Sequence, residues 1–85
     1  MQLKIMTPTK LIEEREIYSV TLNSRMGQMT IMDGHDMVAT LLDPGELFFR
    51  TSPESAVIKY KTGSGGAEIT SDSVLVFLEE ASKIN

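Results

Sequence analysis

The sequence predicts an all-β fold, a small antiparallel sandwich of nine to ten short strands. Apolar residues recur with a period of two rather than 3.6, and turn residues interrupt the chain roughly every 8–12 residues. The chain has 85 residues, less than one average domain, so one sandwich spanning residues 1–85 is expected.

Leu3 and Ile5 alternate with Gln2 and Lys4 and stop at Thr7-Pro8, a first strand closed by a turn. Leu11 and Ile12 lead into the charge cluster Glu13-Glu14-Arg15-Glu16, which reads as a solvated edge or turn because charges blunt sheet edges. Ile17 to Leu22 alternates β-branched or aromatic residues with small polar ones, and Asn23-Ser24 breaks it. Met29 to Met32 forms a short strand between Gly27 and the tight-turn pair Asp33-Gly34. Met37 to Leu42 is the next apolar segment, ended by the proline-preset turn Asp43-Pro44-Gly45. Only one of its two alternating sets, Met37/Ala39/Leu41 or Val38/Leu42, can face the core.

Leu47-Phe48-Phe49 and Ala56 to Lys61 are strands on either side of Thr51-Ser52-Pro53-Glu54. Gly63-Ser64-Gly65-Gly66 reads as a hairpin corner needing positive φ, followed by the strand Ala67 to Thr70. Val74, Phe77, Leu78 and Ala81 fit a helical spacing. Yet Val74 to Leu78 is apolar at every position and carries two valines, which favours a strand buried on both faces. At most a helical turn is expected over Glu79 to Ser82.

The composition excludes several function classes. With net charge −4 overall, −1 up to Leu42 and −3 beyond it, neither half offers the basic stripe that nucleic acid requires. Having no cysteine, the chain has no thiolate zinc site and no cysteine nucleophile. No apolar run approaches the roughly 20 residues of a spanning helix, and the first eight residues lack a secretory signal. This points to a cytoplasmic chain, which is compatible with a peripheral place on a membrane complex.

The search for chemistry is equally spare. His35, flanked by Asp36 and the Asp33-Gly34 turn, is the sole histidine, too few for a usual zinc or iron site. The glycine corner has no following Lys-Ser or Lys-Thr and no dinucleotide spacing. None of Ser24, Ser52, Ser64 and Ser73 sits in a nucleophile elbow. Met26, Met29, Met32 and Met37 fall within twelve residues, as core filler or as an adaptable docking surface. These residues describe a non-catalytic binding or structural module, with no cofactor and no metal expected.

The order of motifs resembles a known family. A strand running into a Thr-Pro turn (Leu3 to Pro8) is followed by Ser19-Val20-Thr21-Leu22, and then by Met26 to His35 in register with a Gly-rich strand and Pro-Gly-His. Leu42-Asp43-Pro44-Gly45, the Ser64-Gly65-Gly66 corner and the closing strand Val74 to Leu78 complete it. Together they are similar to the amino-terminal β-sandwich of the epsilon subunit of bacterial F-type ATP synthases, the delta subunit of the mitochondrial enzyme. Asn23, Thr30 and Asp33 depart from the pattern, replacing a proline, a glycine and a proline, and the glycine corner is one residue short.

The resemblance implies a non-catalytic rotor subunit of the central stalk, gripping gamma and the polar loops of the c-ring. It would sit peripherally on the cytoplasmic side of the bacterial inner membrane, supporting ion-coupled ATP synthesis. Arg25, Gly27, Gln28, Asp33, Gly34 and His35 would face the c-ring, and Asp36, Ala39 and Glu46 would bind gamma. Family members continue into a helical hairpin that can inhibit ATP hydrolysis and in some binds ATP. The chain stops at Asn85, where that hairpin would start, so no C-terminal helical hairpin, no such inhibition and no nucleotide binding are expected. The alternatives are an unrelated β-sandwich adaptor, and a small ligand-binding or hydrolytic domain built on His35 and the Gly63 to Gly66 corner.

Overall fold

The structure, a computed structural model, describes residues 1–33 and 36–84. The described residues form ten strands: β1 (Gln2–Met6), β2 (Leu11–Glu16), β3 (Ser19–Ser24), β4 (Gly27–Met32), β5 (Val38–Leu42), β6 (Gly45–Arg50), β7 (Ile58–Thr62), β8 (Gly65–Ile69), β9 (Ser73–Leu78) and β10 (Ala81–Ile84). They build two layers, β4-β3-β6-β7-β10 and β5-β8-β9-β1-β2, which meet where Ser24 of β3 pairs with Leu42 of β5. The β1–β9 pair is parallel and every other pair is antiparallel. Among the described residues no helix is long and apolar enough to cross a membrane.

Period-two alternation sends one face of each strand into the space between the layers. Leu3 and Ile5 of β1 stand beside Val74 and Val76 of β9, with Ala67 and Ile69 of β8 next in the same rows. Val20, Leu22, Ile31 and Phe49 close the core from the other layer, all essentially removed from water.

Three expectations are corrected and one is resolved. The 13–16 cluster is a sheet edge, one of its two expected readings, and is strand rather than turn. A bulge makes Ile5 pair with Glu13 while Met6 pairs with Leu11, so Ile12 is the extra residue and the apolar alternation breaks there. Glu13 and Arg15 consequently point inward on an edge strand, a placement that resists edge-to-edge pairing. The 79–82 segment forms no helical turn; the chain bends and returns as β10 against β7. The 74–78 strand is buried on one face only, with Phe77 turned out to solvent.

The glycine corner needs no positive φ, for among the described residues only Gly27 has one, at 120°. Gly65 is required for a different reason: a Cβ there would lie 1.9 Å from the Phe77 carbonyl oxygen, in the backbone of the neighbouring strand.

Candidate functional site

Two surfaces of different character meet near the corner where the layers join. The first is the tip of the β3–β4 hairpin. Ser24 pairs with Gly27, leaving a two-residue turn of Arg25 and Met26, and the positive φ of Gly27 completes it without Cβ strain. The Met26 amide donates to Ser24 Oγ at 3.1 Å, and the Met26 side chain is 93% exposed. Gln28 is exposed beside it.

Of the residues expected to face the c-ring, the structure brings together Arg25, Gly27 and Gln28. Asp33 follows the far end of β4, about 17–20 Å away along a six-residue strand. It is held there by the α-amino group of Met1, at 3.1 Å, which also pairs with Glu16 at 3.0 Å. The Glu16 hydrogen bond above all, with Asp33 adding to it against the opposing effect of burial, raises the pKa of that amine above its ordinary 8.0. Gly34 and His35 lie outside the described residues, and so do the readings that rest on them.

The second surface is the outer face of the β5-β8-β9-β1-β2 layer. Cross-strand register aligns Leu41, Gly66, Phe77, Met6 and Leu11 in one row across all five strands. Leu41, Phe77 and Leu11 are 56%, 49% and 54% exposed. A groove of about 390 Å³ opens at the middle of this row, where Gly66 contributes no side chain, lined by Met6, Pro8, Gly66 and Phe77 among others. A second hollow, between Met37, Ala39 and Glu68, continues the same face. Exposed apolar side chains gathered this way mark a docking surface more than a solvated one.

The three expected gamma-binding residues do not share one face. Ala39 lies on this outer face, because Val38, Thr40 and Leu42 pair with the inward-facing Ile69 and Ala67 and with Gly65. Glu46 is exposed on the outside of the other layer, opposite Lys61. Asp36 is exposed in the connection between β4 and β5. Sequence reasoning missed Met6, Leu11, Gly66 and Phe77. The signal for Phe77 was present in the unbroken apolar run Val74 to Leu78, read there as burial on both faces. Among the described residues no group of three or more His, Cys, Asp or Glu side chains could hold a metal ion.

The family model described as "ATP synthase, Delta/Epsilon chain, beta-sandwich domain" matches residues 1–84. The chain belongs to this family. Among curated relatives, the ATP synthase epsilon chain of Hydrogenobaculum sp. is 30% identical over 95% of this chain and 57% of its own length. The ATP synthase epsilon chain of Prochlorococcus marinus strain AS9601 is 35% identical over 95% of this chain and 59% of its own. The chain therefore spans less than two thirds of these epsilon chains. A chain in the Euglena gracilis mitochondrial ATP synthase structure superposes with a TM-score of 0.87 at 20% identity, over 95% of this chain and 51% of that one. One in the Tetrahymena thermophila mitochondrial ATP synthase central stalk and c-ring superposes with a TM-score of 0.80 at 14% identity, over 96% and 65%. At such identities the superpositions establish the fold alone.

Proposed function

We propose that the chain is a non-catalytic rotor subunit of an F-type ATP synthase, its sandwich joining gamma to the c-ring on the cytoplasmic face of the membrane. Ion flow turns the ring, the sandwich passes torque to gamma, and gamma drives synthesis in the catalytic head. The subunit forms and breaks no bonds itself.

The observation that carries this reading is the apolar row from Leu41 to Leu11, ending beside the hairpin tip, where Arg25 and Gln28 stand with the exposed Met26. A rotor joint needs two contacts on one rigid body, and this corner offers two surfaces. Gamma docks on the apolar face, through Ala39, Leu41 and Phe77, with Asp36 in the connection leading into β5; Glu46, on the outside of the other layer, makes a separate contact. The c-ring loops meet Arg25, Gly27 and Gln28, and Asp33, beyond the other end of β4, forms a separate contact.

Affinity-tagged chain expressed in its native cell tests the assignment. Gamma and c-subunit should co-purify with it, and Phe77→Asp should release gamma. Recovery of some other protein in place of gamma would overturn the rotor reading in favour of an unrelated adaptor.

A further inference from the structure

The hairpin tip and the outer face of β5 are tied together by a set of polar contacts. The Arg25 amide donates to the Leu41 carbonyl at 2.9 Å, and the Asp43 amide donates to the Asn23 carbonyl at 3.0 Å. The Asn23 side-chain amide donates to two successive carbonyls of the β5–β6 turn, Asp43 at 3.3 Å and Pro44 at 3.0 Å. Arg25 Nε reaches Asp43 Oδ1 at 3.2 Å. The turn leaves room for this amide because residue 45 is glycine: a Cβ there would stand 2.5 Å from Asn23 Nδ2.

Asn23 is the side chain the geometry asks for. Its NH₂ supplies two donors to two carbonyl oxygens, whereas aspartate would set a carboxylate against both and proline would supply no donor. The Arg25–Asp43 pair is exposed on both sides, so salt screens it and its share is the smaller one. Among the described residues, strand pairing between the layers consists of Ser24–Leu42, and β4 pairs with β3 alone.

We propose that Asn23 is a positioning residue that locks the β3–β4 hairpin to the Asp43-Pro44-Gly45 turn, so that a contact at the hairpin tip is coupled to a contact on the outer face of β5. This rests on the rotor reading for the identity of the two partners. The lock itself is a property of the chain. Binding at the Leu41 end of the row then strengthens the hold on the tip that meets the ring. By reciprocity, ring contact strengthens the grip on gamma by the same factor.

The test uses Asn23→Asp and, by an independent route, Gly45→Ala, which pushes the Asn23 amide out of its place. Hydrogen exchange on the chain alone should show the Arg25 and Asp43 amides exchanging about tenfold faster, together, in both variants, while core amides such as Val76 are unchanged. In parallel, affinity for detergent-solubilised c-ring is measured with and without gamma. Gamma should strengthen ring binding about fivefold or more for the native chain and leave it unchanged for the variants, with gamma affinity alone kept within about twofold. Unaltered exchange at Arg25 and Asp43 in both variants overturns the lock. Faster exchange with an undiminished gamma effect overturns the coupling. Failure of the native chain to bind gamma or ring counts against the rotor reading and leaves the exchange experiment to decide the lock.

Discussion

The Tyr60 hydroxyl of β7 donates to Glu13 Oε2 of β2 at 2.6 Å, joining the two layers across the open side of the sandwich. Arg15 Nε pairs with the same carboxylate at 3.2 Å, and its guanidinium lies 5.7 Å from the centroid of Phe49, which stacks on Tyr60. A charged acceptor only 12% exposed makes this a stronger contact than a surface pair. Tyr60→Phe should therefore cost about 1–2 kcal/mol in urea unfolding, with the m-value unchanged. A cost indistinguishable from zero would mean that water replaces the hydroxyl without loss.

Alkaline pH should lower the stability of the 85-residue chain over two pH ranges. The folded state raises the pKa of the Met1 amine above 8.0, chiefly through the Glu16 hydrogen bond, so it favours the ammonium. That contribution is complete below pH 8 and is lost as pH rises through the folded value. Burial, with the Glu13 hydrogen bond adding to it, pushes the Tyr60 phenol up to about 12. The unfolded chain ionises Tyr60 near 10, so further stability is lost between pH 10 and 12. Melting temperatures recorded from pH 7 upward should fall throughout, and Tyr60→Phe should remove the loss in the upper range alone. A melting temperature that rises above pH 8 would contradict the assignment.

Gly65 and Gly66 are neighbours with opposite tolerances. Gly65→Ala drives a methyl into the Phe77 backbone, where no side chain can yield, and should cost about 2–3 kcal/mol. Gly66→Ala meets only the Thr40 carbonyl oxygen, at an ordinary 3.5 Å, and should stay within about 0.5 kcal/mol of the native chain. Equal losses in thermal unfolding would show that the corner, and not the approach of β8 to β9, decides the cost.

The regular strands were legible because each has one buried face, as Leu3 and Ile5 or Val74 and Val76 display. The β2 strand was not, since the Ile12 bulge breaks the alternation and two inward-pointing charges imitate a solvated turn. The β10 strand has no pattern of its own in Ala-Ser-Lys-Ile; pairing with β7 imposes it. Of the candidate surfaces, Arg25, Gly27 and Gln28 at the hairpin tip followed from the family resemblance alone, and the exposed set Met37/Ala39/Leu41 was one of two alternatives that the alternation left open. The row through Gly66, Phe77, Met6 and Leu11 was hidden because it exists only once strand order and register are fixed. The same holds for Asn23, whose partners lie 20 and 21 residues away.

The proposed seat of gamma is the outer face of the β5-β8-β9-β1-β2 layer. Titration calorimetry of purified gamma against the native chain, Phe77→Asp and Ala39→Asp tests it most directly, with circular dichroism melts run alongside. Both positions are exposed, so both variants should melt within a few degrees of the native chain. Each should weaken gamma binding at least tenfold, Phe77→Asp more than Ala39→Asp, because a carboxylate in the row must be desolvated without a partner. Native affinity for gamma in both folded variants would contradict the account.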